Sequence, residues 1–221
     1  MFKQEKEMAP IVHAFLTRKN LRVRSEVVGY DIMGDNGQDI YIIEMKLSFN
    51  LKVIAQACEA QKSGHYVYIA VPDLQLEKHK TFKKRHMLGK KVDEMKLICR
   101  RIGVGLLFVS LNNIREIVEP ERSLYTRPHN IKYIRDEANG RPLDENIAGT
   151  TGVSQMTAYK YRSIEIVKAL IEHGPLSSSK LKELTGDKGT YGILYNNHMK
   201  WFVNISRGLY DVTDIGREAV Q

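Results

Sequence analysis

The four residues 34–37, Gly-Asp-Asn-Gly, are the feature that most constrains how this chain can fold. Glycine and asparagine accept the positive φ angles of the tight turns that join antiparallel strands. A stretch rich in β-branched residues precedes the turn at 21–33, and an apolar stretch from Ile40 to Leu47 follows it. The sequence therefore predicts a β-hairpin over about residues 22–47, with two antiparallel strands side by side.

The second predicted strand carries two charged side chains in an otherwise apolar run. Glu44 and Lys46 lie two positions apart, so they share one face of the strand, and Asp31 lies on the strand before the turn. Two carboxylates and a lysine are costly among apolar residues unless they pair with each other or bind a cation. We interpret the three residues as one cluster. A Glu-x-Lys pair on a solvent-exposed face is the alternative interpretation.

A cluster of this composition suits the hydrolysis of phosphodiesters. Carboxylate oxygens bind hard cations such as Mg²⁺, and the backbone carbonyl of Met45 would add an oxygen ligand. The metal lowers the pKa of a bound water and neutralises the charge that develops on the phosphate. Lys46 would orient the attacking water or stabilise the transition state. The prediction is therefore a metal-dependent site with Mg²⁺ (or Mn²⁺) as its cofactor.

The elements around the hairpin predict an α/β domain over residues 1–118. Apolar spacing predicts one helix at 5–18 and another at 50–62. Short apolar runs at 65–71 and 105–111 are typical of buried strands, and the residues between them predict a basic helix that Gly89 could interrupt. This order of helices and strands predicts a mixed central sheet that is flanked by helices.

A second, smaller domain is predicted at residues 154–221. Residues 119–153 are less apolar and contain three prolines, so we interpret them as a linker with some helix. Beyond them, Ser154 is placed to cap a long helix, which two shorter helices and two strands around residues 206–208 follow. Three helices and a small hairpin predict a winged helix-turn-helix.

Positive charge is concentrated in one segment of the chain. The net charge is +8, and residues 73–118 hold eleven basic and five acidic side chains. A nucleic-acid partner requires such a concentration, and contacts to its phosphates do not depend on base sequence. Solvated surface lysines are the alternative interpretation. The candidate phosphate contacts are Lys80, Lys83, Lys84, Arg85, Lys90 and Lys91.

The composition disfavours two other classes of protein. The two cysteines and seven histidines lack the close spacing that a zinc site requires. The first ten residues are polar, and no apolar run approaches the roughly 20 residues of a membrane span. We therefore expect a cytoplasmic protein that has no membrane partner.

A longer pattern surrounds the charged cluster. It reads Glu26-x-x-Gly29-Tyr30-Asp31, then Glu44-Met45-Lys46-Leu47-Ser48-Phe49-Asn50, and then Gln56. This pattern resembles the PD-(D/E)XK nuclease superfamily, and more narrowly a bacterial branch of PD-(D/E)XK-type phosphodiesterases with a C-terminal winged-helix-like domain. The similarity extends over nearly the whole chain. It implies a restriction-endonuclease-like α/β fold and a nuclease activity.

The resemblance also implies a role for each matching position. Asp31 and Glu44 would bind the metal, and Lys46 would act on the nucleophile or the transition state. Gln56, on the helix that follows, would support the site or contact the substrate.

Two further assignments concern glutamates outside this core. Glu5 or Glu7 would match the helical glutamate that many members of the superfamily use as an extra ligand, and Glu7 is carried forward as that ligand. Glu26 would join the catalytic residues only if a bulge at Gly29 shifted the strand, because residues 26 and 31 have opposite parity in a regular strand.

The predicted function is a nuclease that cuts DNA with metal-activated water, with a homodimer as a further expectation. The third helix of the second domain would bring Lys188, Tyr191 and Asn197 to the nucleic acid. One rival hypothesis is a DNA-binding regulator whose nuclease-like domain is only a scaffold. Another is a phosphodiesterase that acts on small molecules or on RNA.

Overall fold

The computed structural model describes residues 2–74, 81–150, 152 and 154–220, except the side chains of Phe82 and Lys83. The chain divides into two compact units. Unit 1 comprises Met1–Ala138 and Leu143–Gln155, and unit 2 comprises Asn139–Pro142 and Met156–Gln221. None of the helices in the described ranges has the length and apolar composition of a membrane span.

Unit 1 is built on a six-stranded sheet whose strands lie in chain order. The middle strands β3, β4 and β5 run parallel to each other, and every other neighbouring pair is antiparallel. This arrangement confirms the predicted mixed sheet with flanking helices. The strands are β1 (Arg22–Val27), β2 (Tyr30–Asp35), β3 (Ile40–Met45), β4 (Tyr66–Pro72), β5 (Gly105–Ser110) and β6 (Asn113–Val118). The helices are α1 (Ala9–Arg18), α2 (Leu51–Ala60), α3 (Phe82–Arg101) and α4 (Pro128–Asn139), and a short 3-10 helix (Glu5–Glu7) precedes α1.

The two faces of the sheet bury different sets of apolar side chains. On one face Leu16 of α1 belongs to the same core as Ile43 of β3, and on the other Val53 of α2 belongs to the same core as Ile42. Because neighbouring residues of a strand point to opposite faces, Glu44 shares the α2 face with Ile42.

The prediction of one strand over residues 21–33 is wrong, because the structure has two strands there. They are joined by a tight turn at Val28 and Gly29, whose φ angles are 55° and 82°. Valine rarely adopts a positive φ, since its branched side chain clashes with the backbone in that conformation. Few local signals in the sequence therefore indicate this turn. The turn predicted at 34–37 lies two residues later, at 36–39, because Gly34 and Asp35 still pair with β3.

Much of the segment predicted as a linker, residues 119–153, packs within unit 1. Helix α4 buries Ile134 and Ala138 in the core on the α2 face, and residues 143–155 also belong to the unit. Prolines and low apolar content made this segment resemble a linker. Ile131, Ile134 and Ala138 nevertheless lie at helical spacing on one side of α4 and pack against the core.

Unit 2 contains the predicted three helices and hairpin, together with elements that the sequence analysis missed. They are α5 (Ala158–His173), β7 (Leu176–Ser177), α6 (Ser178–Thr185), α7 (Thr190–Asn196), β8 (Phe202–Ser206), β9 (Leu209–Val212) and α8 (Asp214–Glu218). The strands form a sheet in the order β7-β9-β8, and Trp201 and Tyr210 are buried in the core of the unit. The cap predicted at Ser154 is wrong, since the Thr157 hydroxyl accepts the capping hydrogen bond from the Lys160 N–H. The winged-helix assignment stays a prediction.

Candidate active site

Asp31 and Glu44 lie next to each other on neighbouring strands. Ile32 pairs with Ile43, so the antiparallel register sets Asp31 opposite Glu44. Both side chains are buried, since Asp31 is 9% and Glu44 is 2% exposed. The Oδ2 atom of Asp31 accepts a 2.7 Å hydrogen bond from the backbone N–H of Met45, and this bond holds the carboxylate against β3.

The pKa values of this pair are raised. Burial raises the pKa of Asp31 to about 6, and burial together with the nearby charge of Asp31 raises the pKa of Glu44 to about 8. Removal from water disfavours the charged form of a carboxyl group, and a second carboxylate nearby repels its charge. The pair is therefore short of positive charge, and a bound cation would relieve both causes at once.

Glu26 extends the pair to a row of three carboxyl groups across β1, β2 and β3. The register of β1 on β2 sets it opposite Asp31, and its own φ of 50° marks the irregularity that brings it there. Its Oε1 accepts a 2.8 Å hydrogen bond from the Gly149 N–H, and its Oε2 accepts one of 2.7 Å from the Gln155 side chain. Both oxygens are thus engaged, and Glu26 ties the described residues of the segment 143–155 (143–150, 152, 154 and 155), here named the strap, to the edge of the site.

Lys46 directly follows β3 and is paired with a glutamate. Its Nζ lies 2.8 Å from Oε2 of Glu5. Burial alone would lower the pKa of Lys46, but the hydrogen bond to Glu5 and the charges of Asp31 and Glu44 outweigh burial and raise it. Lys46 is therefore a cation beside the carboxylate row.

The structure brings Glu5 to the site, and not Glu7 as predicted. The Glu7 side chain is exposed and accepts a 3.0 Å hydrogen bond from the backbone N–H of Lys3. The sequence could not distinguish the two, because acidic residues at the start of a helix are favoured whether or not they have a further role.

The strap was missed entirely by sequence reasoning. Asp144 accepts hydrogen bonds from both the backbone N–H (2.8 Å) and the hydroxyl (3.1 Å) of Ser25 on β1. At Gly149 a Cβ atom would come within 2.8 Å of the Lys6 nitrogen, and the residue has a φ of 74°. Glycine is required there because the strap passes directly over the 3-10 helix that carries Glu5.

Gln56 lies on α2, the helix that packs on the sheet face shared by Glu44. The helix begins after Asn50, whose side chain accepts a 3.1 Å hydrogen bond from the Val53 N–H. The Oε1 atom of Gln56 is buried and accepts no hydrogen bond. A buried acceptor without a donor is costly, so Gln56 supplies an oxygen that a hydrated cation or a substrate could satisfy.

The donor set fits magnesium better than zinc. In the part of the chain that the structure describes, no group of three or more Asp, Glu, His and Cys side chains is arranged to hold a metal ion. A closed structural zinc site requires about four such ligands. Mg²⁺ is commonly bound by one or two carboxylates, with water and substrate phosphate completing its shell. The buried pair of Asp31 and Glu44 fits that mode of binding.

The structure describes the side chains of four of the six residues that were predicted to contact nucleic acid in unit 1. Helix α3 passes through Gly89 without a break and turns Val92, Met95 and Cys99 into the core. Its outer side exposes basic side chains. Lys80 lies outside the described residues, as does the side chain of Lys83, while Lys84, Arg85, Lys90 and Lys91 are exposed.

The three predicted contacts of unit 2 also differ from one another. Lys188 and Tyr191 are exposed. Asn197 instead holds unit 2 together, because its side chain accepts a hydrogen bond from the Phe202 N–H (3.2 Å) and donates one to the Phe202 carbonyl (2.7 Å). The prediction that Asn197 contacts nucleic acid is therefore corrected to a structural role.

The fold and the site define a mixed α/β protein with a buried carboxylate pair beside a lysine. The family described as "Putative PD-(D/E)XK phosphodiesterase (DUF2161)" matches residues 107–219, just over half of the chain. The chain belongs to this family. The matched region runs from β5 to α8, so Asp31, Glu44 and Lys46 lie outside it.

A solved structure is also similar to this chain. It is a protein of unknown function from Silicibacter pomeroyi that is 14% identical, with 62% of this chain and 85% of that chain covered, and a TM-score of 0.44. No curated protein matches the chain.

Proposed function

We propose that this protein hydrolyses phosphodiester bonds of nucleic acid, with DNA as the preferred substrate and Mg²⁺ or Mn²⁺ as cofactor. The observation that carries the proposal is the adjacent, buried Asp31–Glu44 pair, whose pKa values are raised chiefly by burial. Membership of a family described as phosphodiesterases supports the reaction class. A cytoplasmic location is part of the proposal.

Each residue of the site has a role that follows from its contacts. Asp31 and Glu44 would hold the metal, which supplies Lewis acidity that activates water and balances charge on the phosphate. The Met45 N–H keeps Asp31 in place. Lys46 is cationic and would bind a phosphate oxygen, and Glu5 orients its amine.

The exposed basic side of α3 supports nucleic acid as the substrate. Lys84, Lys90 and Lys91 are exposed and form no ion pair with the described residues. Lysines arranged in this way bind phosphates without regard to base sequence, and their contribution weakens as salt rises. A small phosphodiester would gain little from charges spread along a 20-residue helix.

The experiment that tests the proposal is a cleavage assay with the full chain on duplex, single-stranded and branched DNA. Cleavage is expected with Mg²⁺ or Mn²⁺, and none with EDTA. Glu44→Gln is expected to reduce the rate about a hundredfold or more, while Glu7→Gln, which changes an exposed glutamate nearby, serves as the matched control. Cleavage that persists in EDTA, or that survives Glu44→Gln unchanged, would contradict the proposal.

One observation favours a second candidate, a DNA-binding protein whose site is inactive. The Lys46 amine is already held by Glu5 at 2.8 Å, as expected of a residue that serves only to stabilise the fold. This candidate predicts tight DNA binding with no cleavage in any divalent metal. Glu5→Gln would separate the two, since release of Lys46 should alter cleavage in an enzyme and only stability in a scaffold.

A further inference from the structure

Helix α7 of unit 2 displays two tyrosines that stack on each other. Tyr191 is 60% and Tyr195 is 73% exposed, and their ring centroids lie 6.0 Å apart with 23° between the ring planes. The opposite side of the helix is buried, with Ile193 and Leu194 in the core of the unit. A rigid helix therefore holds this tyrosine pair on the surface.

The space beside the tyrosine pair is open. Gly192 follows Tyr191 in the helix, and a Cβ atom added there would meet nothing within 4 Å. The other stacked pair found in the described residues, Tyr41 with Tyr66, is only half-exposed. Large aromatic rings are usually buried, so an ordered and exposed stack is informative about binding.

The chain around the tyrosine pair carries positive charge only. Residues 188–208 contain Lys188, Lys200 and Arg207, all exposed, and no aspartate or glutamate. Asp187, which precedes this segment, turns its Oδ1 inward to accept a 2.8 Å hydrogen bond from the Gly189 N–H. A chain segment that combines exposed aromatic rings with exposed cations complements a strand that has both bases and phosphates.

We propose that Tyr191 and Tyr195 bind unpaired nucleobases of a single-stranded nucleic acid, while the neighbouring cations contact its phosphates. Bases in a duplex cover each other's faces, so stacking on a protein ring requires bases that are unpaired. Groove recognition in a duplex relies mainly on polar side chains at base edges, and this helix presents rings instead. The inference rests on the proposed function in one respect, that nucleic acid is the substrate.

The test is fluorescence anisotropy of the full chain with labelled oligonucleotides of about 15 nucleotides, which span one binding module. EDTA is present throughout, so that binding is measured without cleavage. The oligonucleotides are single-stranded DNA, RNA of the same sequence, the matching duplex, and an abasic strand that keeps the phosphates but lacks the bases. We expect the single strands with bases to bind more tightly than the duplex and the abasic strand, and the DNA and RNA arms show which backbone is preferred.

The variants test whether the rings of Tyr191 and Tyr195 contribute to binding. The double variant Tyr191→Ala with Tyr195→Ala is expected to weaken single-strand binding about ten- to hundredfold, and the double Tyr→Phe variant is expected to retain it, because the rings remain. Tyr133→Ala is the control, since Tyr133 is 62% exposed on α4 of unit 1. Equal binding of the abasic strand, or full binding by the double alanine variant, would overturn the inference.

Failure of this inference can be told from failure of the proposed function. If Glu44→Gln abolishes cleavage while the double alanine variant binds normally, only the role of the tyrosine pair is refuted. If no metal supports cleavage while binding still depends on the tyrosines, the inference stands and the enzyme proposal falls. Association with a protein in place of any oligonucleotide would refute the choice of partner.

Discussion

Strand β2 carries a buried aspartate near each end, and the two aspartates have partners of opposite charge. Asp31 and Asp35 lie four residues apart, so they point to the same face of the sheet. They are 9% and 5% exposed. Asp35 receives two hydrogen bonds from Arg135 of α4, at 2.8 and 3.0 Å, whereas Asp31 adjoins the carboxyl group of Glu44.

The pKa values of the two aspartates shift in opposite directions. Burial would raise the pKa of Asp35, but Arg135 and the Gly37 N–H hold it below its ordinary value. The pKa of Asp31 is raised to about 6, chiefly by burial. Arg135 and the Gly37 N–H outweigh the effect of burial on Asp35, whereas the Met45 N–H and the charge of Lys46 do not outweigh it on Asp31. We propose that Asp31 and Glu44 receive a further cation from outside the chain.

The largest expected effect comes from changing each aspartate to asparagine. Asp31→Asn should lower the cleavage rate about a hundredfold or more, with little loss of stability. Asp35→Asn should keep the rate and lower the free energy of unfolding by about 3 kcal/mol, because it leaves Arg135 without its partner. Initial rates and urea unfolding of both variants measure these effects. Equal loss of activity in a folded Asp35→Asn variant would contradict the comparison.

The second effect is the response of the metal-free protein to pH. A carboxyl group with a raised pKa stabilises the fold below its ordinary value, and this contribution is lost as pH rises through about 6 for Asp31 and about 8 for Glu44. For Asp35 the sign is opposite, since its contribution is present above its ordinary pKa and is lost as pH falls through the lowered one.

Urea unfolding at about pH 5 and about pH 8.5 in EDTA measures this response. The free energy of unfolding should fall by several kcal/mol between the two, with the larger part from Glu44, and the double variant Asp31→Asn with Glu44→Gln should remove most of the fall. The same slope in the double variant as in the wild type would show that other groups are responsible.

Metal binding should have a smaller effect on the free energy of unfolding. Mn²⁺ at about ten times its Kd should raise the free energy of unfolding by about 1.4 kcal/mol, because only the folded chain brings the pair together. Thermal unfolding with and without Mn²⁺ checks this. Asp35→Asn should retain the increase and Glu44→Gln should lose it, so an increase of equal size in Glu44→Gln would place the metal elsewhere.

How far the sequence could predict the site depends on the range of the interactions. Glu44 and Lys46 could be placed on one strand because alternation of side chains is a local rule. The turn at Val28 could not be predicted, since a φ of 55° is unusual for valine and is imposed by the surrounding fold. The contact of Gly149 with Glu26 spans 123 residues, and no local pattern encodes such a contact.

The change Glu26→Gln has the smallest expected effect. It distinguishes most sharply whether Glu26 binds the metal or only holds the strap in place. It lies in the row with Asp31, yet both of its oxygens hold the strap. If it acts as a tether, Glu26→Gln should lower the free energy of unfolding by about 1 kcal/mol and expose the strap to proteases, with metal binding retained.

Asp144→Asn is the matched control for that experiment. Asp144 anchors the same strap through Ser25, and the register sets no catalytic carboxylate opposite Ser25. Under the tether hypothesis both variants should loosen the strap and leave the Mn²⁺-dependent rise in stability intact. If Glu26→Gln alone abolishes that rise, Glu26 is a metal ligand, and the strap is then held by a residue whose main role is in the site.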